Sequence, residues 1–598
     1  MLNKYFHPNL KFISLALLAI IMLLIQPAVS MGYNMTMPAY PNQPPINPKL
    51  LDTPKFWSPA KVYQVTPNVW SAVGFGLANG IAIKGTDGII IIDTGINYEQ
   101  GKKMIQEIRK VIPDLPVKAI IYTHGHVDHV QGAGAFAEEG KNVTIYAHDS
   151  LLSFYSNENA LLGPAQAIRA ADASGVLLPK EGPDRVFQGI FPPITAGKIA
   201  FIPPTKTFSD KLNITEAGVN LTLIHTQGET TDHINVWYPA EKVLFIGDNQ
   251  YGIVPNIYSI RGGVFRDPLV QIQALDTALS LHPGYVVGSH QKPIVGSKNI
   301  TDILTVTRDA LEYLRDQTIR GMNKGMTADE LAQNITLPQH LLNHPYLTLS
   351  RGEIPWYVRQ IYNGYMGWYE GDPAFLNMTS LVDRSKHIVE GFGGVNKTLL
   401  KVREAIDKGE DQWASELATY ILKVDPNNTE AKLLKAHALR VVGERFTSMD
   451  GRHYYLTTAL ELEGKIKADP NAIAVTSPEQ LASLPVDNML EILATKLDPV
   501  KANGVNKTLG LTLTDTGQVY TLHVRNNLLA VNKALEPHED MTLALDSNTY
   551  KSIVNGTNKV VDLVNDGRVK FQGNVTDLEK FVSLFDPLFA YQGVGKED

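Results

Sequence analysis

The heptapeptide THGHVDH at residues 123–129 follows directly on the apolar run VKAIIY at 117–122, so three histidines and an aspartate crowd the mouth of a buried strand. A lone buried histidine is ordinarily a hydrogen-bonded core residue. His124, His126, Asp128 and His129 together are hard to take out of water without a cation between them. The 598 residues contain no cysteine, which leaves imidazole and carboxylate as the available donors. That set suits zinc, with manganese or iron as substitutes. Further donors of the same kind stand at the ends of other apolar strands: Glu229 after LTLIHTQG, Asp248 after VLFIG and His290 after YVVGS. Seven donors suffice for two divalent ions roughly 3.5–4 Å apart.

The rest of the chain sets the context for this centre. Basic residues number 54 and acidic residues 61, for a net charge of −7, with no basic run that could track a phosphate backbone, so nucleic acid is not an expected partner. Lys4 and Lys11 lead into the apolar stretch FISLALLAIIMLLI, and small residues Ala28 and Ser30 follow. This is the three-part layout of a secretory signal over residues 1–30, too short for the roughly 20 apolar residues of a spanning helix. The expected location is therefore secreted, periplasmic or cell-surface, with the signal removed and no stable membrane span. About a dozen Asn-x-Thr triplets, Asn142 and Asn213 among them, suit an exported chain.

The length implies several domains. Residues 31–56 are rich in Pro and Asn and read as an extended leader, poorly ordered or draped on a neighbour. From 57 to 335 short apolar strands alternate with helical segments, as in GIAIKGTDGIIIIDTG followed by GKKMIQEIRKVI, the pattern of an α/β layer. Within that span TADE at 327–330 reads as a capping box. Residues 336–470 read as helices, including a hairpin with Trp413, Leu417, Ile421 and Leu422 on one stripe, a break at DPNN, and Leu433, Leu434, Ala438 and Val441 on the next. Residues 475–598 form a small α+β unit. There Leu509, Leu511 and Leu513 alternate with polar residues, TDTGQ turns, and Tyr520, Leu522 and Val524 alternate back.

The pattern THxHxDH, with IIIIDTG at 89–95 upstream and a strand ending in Gly247-Asp248 downstream, resembles the metallo-β-lactamase fold. The resemblance implies an α/β protein with an αββα sandwich, two sheets face to face between helices, and two zinc ions per chain. It places His124 and His126 on one ion with a third ligand from the loop QGETTDH (227–233), Asp128, His129 and His290 on the other, and Asp248 as the bridge. Most members of that fold have GHT where this chain has GET. Glu229 is preferred as the third ligand, with His233 behind it, because the pattern puts the ligand four residues before that second histidine.

A glutamate at this point marks the alkyl sulfatase branch of the superfamily, and the nineteen positions from Glu229 to Asp248 match the branch's separation between ligand and bridge. The segments GDNQYGIVPNIYSIRGGVFRD (247–267), SNENALLGPAQAIRAADASG (156–175) and FIPPTKTF (201–208) are similar to branch segments. VRQIYNGYMGWYEGDPAFL (358–376) resembles the start of the alkyl sulfatase helical dimerisation domain, and the C-terminal unit resembles their sterol-carrier-like domain. Two departures stand out: the branch carries two histidines in the loop after the bridge, where this chain has Gly252 and Pro255, and it bridges with glutamate rather than Asp248. One of those histidines serves the leaving group or the sulfate, so the departure weakens sulfate specificity more than metal binding.

Asp128, Glu229, Asp248 and a hydroxide nucleophile carry four negative charges, enough to offset two divalent cations, so an anionic substrate needs help from outside the ligand set. Arg261 is the expected source of that help, because a guanidinium can hold two sulfate oxygens, with Asn249 as a neighbouring donor. Arg169 and Arg266 are weaker candidates, and Asp93 is read as a turn or supporting residue rather than a ligand. The aromatic group Trp356, Tyr357, Tyr362, Tyr365, Trp368 and Tyr369 fits core or subunit interface better than a substrate entrance. The expected protein is an exported, homodimeric zinc hydrolase of sulfate esters with an aliphatic chain, with Asp128, Asp248 and Arg261 central to catalysis. The alternatives are hydrolysis of another ester, lactone or phosphodiester, and a non-catalytic lipid-binding protein.

Overall fold

The computed structural model of the chain describes residues 45–187, 197–467, 481–482, 484–554 and 556–586. The expected signal over 1–30 and most of the leader lie outside these residues. The end of the leader is draped on the protein rather than loose: Pro48–Leu51 is a short helix, Thr53–Phe56 a 3-10 turn, and Leu50 packs with Phe187 and Met449.

Seven strands in sequential order make the first sheet: β1 (Lys61–Thr66), β2 (Val69–Val73), β3 (Gly80–Lys84), β4 (Ile89–Ile92), β5 (Val117–Ile121), β6 (Thr144–His148) and β7 (Lys206–Phe208). Six more, β8 (Lys211–Glu216), β9 (Val219–His225), β10 (Ile234–Tyr238), β11 (Val243–Gly247), β12 (Tyr285–Gly288) and β13 (Ile294–Val295), make the second. Period-two alternation explains how both sheets are buried on both faces. Ile90 and Ile92 of β4 point inward with Ala119 and Ile121 of β5 and meet Leu223, Val236 and Phe245 of the second sheet. Ile89 and Ile91 point outward onto Met104, Ile105 and Ile108 of the helix Tyr98–Arg109. On the other side, Leu244, Ile246 and Val286 pack on Ile272 and Leu275 of the helix Pro268–Ser280 and on Ile303 and Leu304 of the helix Ser297–Met322. The result is the αββα sandwich, and its continuous apolar strands are what double burial demands.

Beyond it the chain is helical. Thr327 and Glu330 exchange the two hydrogen bonds of a capping box at the helix Ala328–Asn334. The hairpin consists of Asp411–Val424 and Thr429–Arg445, broken at Asp425 and restarted by the Asn428 cap. Its stripe is shifted from the sequence expectation: Ala414, Leu417, Ala418 and Ile421 are buried, whereas Trp413 is exposed. The aromatic group also divides, with Tyr357 and Tyr362 in the core and Trp368 on the surface. In the last domain β14 (Lys507–Leu513), β15 (Val519–Arg525), β16 (Leu528–Asn532), β17 (Met541–Leu545) and β18 (Lys570–Gln572) form a mixed sheet. Leu509 there faces Leu522 and Leu511 faces Tyr520 across the expected hairpin. No helix among the described residues is long and apolar enough to cross a membrane.

Candidate active site

β4 and β5 run parallel, as do β11 and β12, so the four strands release their loops at one end of the sandwich. At that end His124 follows β5, His126 caps the four-residue helix Val127–Val130 that carries Asp128 and His129, Asp248 follows β11, and His290 follows β12. Glu229 arrives on the loop between β9 and β10. Two groups form, His124, His126, Glu229 and Asp248 in one, Asp128, His129 and His290 in the other, each with donor atoms within 4.8 Å of one another. Asp248 Oδ2 joins them, 3.0 Å from His290 Nε2, 3.5 Å from His129 Nε2 and 4.0 Å from His124 Nε2. All seven predicted donors therefore meet, and Asp248 lies between the two sets.

Whether these side chains suit metal is decided by their unmet valences. His126 Nε2, His129 Nε2, Glu229 Oε2 and Asp248 Oδ1 are buried with no hydrogen-bond partner among the described residues. Buried polar atoms are seldom left so. Glu229 Oε2 lies 3.6 Å from His124 Nε2 and 3.5 Å from His126 Nδ1, while His124 Nε2 sits only 2.8 Å from His126 Nδ1. Closely spaced nitrogens and carboxylate oxygens that do not bond elsewhere fit a divalent cation. The charge balance points the same way. Burial opposes a charged His129, yet Asp128, Asp248 and Asp93 outweigh it and raise its pKa well above the ordinary value. Burial likewise disfavours the Glu229 anion, but Arg266, His126 and His124 hold its carboxyl well below the usual range. His124, with other imidazoles as neighbours, is driven the opposite way, its pKa pushed well down by burial and by His129, His126 and His233.

Supporting residues fix each donor. Asp93, in a left-handed conformation at φ 56°, accepts from Thr123 N at 2.9 Å, Ser289 Oγ at 3.0 Å and His129 Nδ1 at 2.7 Å, which leaves His129 Nε2 to face the centre. It supports the donors and is not one of them, as the sequence suggested. His233 also sits behind the site: its Nε2 accepts from Asp248 N at 3.1 Å, and burial lowers its pKa to about 4. Gly247, at φ 53°, is required because a Cβ there would run into the His233 ring.

The structure gives the substrate-side candidates partners that the sequence did not show. Asn249 is not a free donor: its Oδ1 accepts from Glu229 N at 3.1 Å and its Nδ2 meets His233 Nδ1 at 3.1 Å, so it braces the Glu229 loop. Arg266 is paired with Glu229 Oε1 and donates to Asn256 O at 3.1 Å, an arrangement that turns Oε2 toward the histidines. Arg261 lines the cavity as expected, but through ion pairing with Glu158 at 3.1 Å and a bond to Gln166. Glu158 belongs to the π-helical turn Ser156–Leu161, a local distortion common at functional sites. Arg169 is not among the cavity residues. His148 and His225 stack on each other at 3.7 Å between centroids.

The cavity, about 190 Å³, is bordered by Asp128, Glu229, Asp248 and His290 and also by apolar Leu77, Ile96, Val127 and Ala170. Tyr251, Arg351 and Asp450 complete it and were missed from sequence. Tyr251 lies three residues from Asp248, a separation that hinted at proximity, whereas Arg351 and Asp450 come from the helical region and have no local signature. The loop after Asp248 shows why no histidine stands at 252. Gly252 is at φ 79°, and a Cβ there would lie 2.7 Å from the Phe56 ring, so the leader fills that space.

An αββα sandwich with these donors at the strand ends defines a member of the metallo-β-lactamase superfamily, and the family model of that name matches residues 73–290. Models described as alkyl sulfatase dimerisation and alkyl sulfatase C-terminal match residues 327–465 and 474–589. The chain belongs to the alkyl sulfatase family: it is 35% identical to a linear primary-alkylsulfatase from a Pseudomonas species over 84% of its own length and 98% of that protein's. An (R)-specific secondary-alkylsulfatase from Pseudomonas is 29% identical over 90% and 83% of the two chains. Among solved structures, the stereoselective inverting sec-alkylsulfatase Pisa1 from Pseudomonas superposes with a TM-score of 0.85 at 28% identity, covering 91% of this chain and 87% of that one.

Proposed function

We propose that the protein is an exported, homodimeric, zinc-dependent hydrolase of alkyl sulfate esters, releasing an alcohol and sulfate. The observation that carries this reading is the buried set of seven donors, four of their atoms without a partner among the described residues, of which His126, Asp128, Glu229, Asp248 and His290 border a cavity that also presents arginines and apolar side chains. His124, His126 and Glu229 would hold one zinc ion and Asp128, His129 and His290 the other, with Asp248 available to both. Two such ions, when bound, supply an activated water at neutral pH and a Lewis acid for the ester.

The chain's own groups do the rest. Arg266 and Asn249 orient Glu229, and Asp93 orients His129. The Arg261 guanidinium, steered by Glu158 and Gln166, holds the sulfate oxygens in a fork that matches their geometry. Leu77, Ile96 and Val127 take the first carbons of the aliphatic chain and exclude water from the reacting ester. A second reading, hydrolysis of another ester, lactone or phosphodiester, draws on Phe56 standing where the branch carries a loop histidine. Sulfate release from dodecyl sulfate, abolished by a chelator and by Asp128→Ala, supports the first. Turnover of a lactone or phosphodiester with no sulfate released supports the second.

A further inference from the structure

Part of the cavity wall comes from outside the sandwich. Arg351, just before the helix Ile354–Met366, and Asp450, in the first turn of the helix Met449–Leu462, border the same cavity as Asp128, Glu229, Asp248 and His290. The Asp450 side chain is 4% exposed, with Oδ2 3.5 Å from Arg351 Nε. The helix does not depend on this carboxyl for its placement. Met449 N donates to Ser350 O at 2.9 Å, Ser448 N to Glu353 Oε1 at 2.9 Å, and Ser448 Oγ caps Gly451 N at 3.2 Å.

Hydrolysis of an alkyl ester needs a proton for the oxygen that departs, and few cavity groups can give one near neutral pH. Arginine holds its proton too tightly. The Tyr251 phenol is pushed well above its ordinary value by burial and by Glu229 and Asp248. His126 and His290 belong to the donor set, and the space at Gly252 is taken by Phe56. Asp450 differs: burial raises its carboxyl to about 6 against the opposing pull of Arg351 and Arg261, and the Tyr357 phenol is the other ionisable group close by. A carboxylic acid near the working pH is what general acid catalysis requires.

We propose that Asp450, positioned by Arg351, is the proton donor to the leaving oxygen of the ester, an inference that rests on the alkyl sulfatase reading. The bridging oxygen of R–O–SO3⁻ takes the Asp450 proton as its bond to carbon or to sulfur breaks, the bonding pair staying on that oxygen. The oxygen of water bonds to the atom left behind. The products are ROH and hydrogensulfate, and the proton given up by water restores the carboxyl.

The test is steady-state hydrolysis of dodecyl sulfate by metal-loaded wild type, Asp450→Asn and Asp450→Glu between pH 5 and 9. Wild-type kcat should fall on the alkaline side. Asp450→Asn should lose about 100-fold in kcat, with KM within about threefold and the alkaline fall gone. Asp450→Glu should keep that fall and recover at least about tenfold over the amide. An amide variant that keeps the alkaline fall, or whose loss sits in KM, overturns the proposal. If the amide variant does not fold, a wild-type kcat that does not decline above pH 6 overturns it alone. Absence of sulfate release by wild type is a different result, and it removes the alkyl sulfatase reading itself.

Discussion

Glu229 is tied to two opposite tasks, and substituting it separates them. One oxygen pairs with Arg266, and both side chains are nearly buried, 9% and 10% exposed. Replacing Glu229 by Met leaves a guanidinium in the interior with the Asn256 carbonyl and the charge of the nearby Glu158 as its remaining compensation. Breaking one side of such a pair costs about 3–5 kcal/mol, whereas replacing both sides by apolar groups of similar volume is close to neutral. In metal-free buffer, urea unfolding followed by tryptophan fluorescence should show Glu229→Met less stable by about that amount, and the Glu229→Met/Arg266→Met double variant within about 1 kcal/mol of wild type. Both variants should also bind one zinc ion fewer by elemental analysis, since the His124 and His126 set loses its carboxylate. Equal stability of the single and double variants would refute the pairing argument, and an unchanged metal count would refute Glu229 as a ligand.

Asp450 makes stability pH-dependent in a stated direction. Its folded-state value, raised to about 6, lies above the ordinary 3.8, so its contribution is fully present below pH 3.8 and is lost as pH rises through 6. Relative to Asp450→Asn, wild type should lose about 3 kcal/mol across that interval, read from denaturation midpoints at successive pH values. Gly252→Ala should destabilise by about 1–3 kcal/mol, through its positive φ and the Phe56 contact. Adding Phe56→Ala should relieve the contact but not the backbone strain. Stripping metal with a chelator should abolish sulfate release and lower the melting temperature, and zinc at a hundredfold excess over its Kd should restore about 2.7 kcal/mol. An unchanged melting temperature would count against buried ions.

The donor set was legible because four of its members sit within six residues and the other three each end an apolar strand, so local pattern and strand polarity fixed their convergence. The apolar strands and intervening helical segment of residues 80–112 likewise announced an α/β layer, and the structure shows the unbroken run IIII at 89–92 buried on both faces. What the sequence could not show depends on contacts between distant segments. Arg261 and Arg266 are of one residue type, five positions apart, both line the cavity, and only the positions of Glu158 and Glu229 decide which of them pairs with a member of the donor set. Asn249 looked like a donor because nothing local reveals that Glu229 N lies above it. Trp413 fitted the helical stripe by spacing, but the neighbouring helices pack one position further round, on Ala414 and Ala418. Phe56 against Gly252, and Asp450 at the cavity, join segments about 200 residues apart, beyond any periodicity.

The most direct check is anomalous diffraction at the zinc edge from crystals of the purified chain. Two peaks are expected, one enclosed by His124, His126 and Glu229 and the other by Asp128, His129 and His290, with Asp248 between. A single peak, none, or peaks outside these seven side chains would contradict the account.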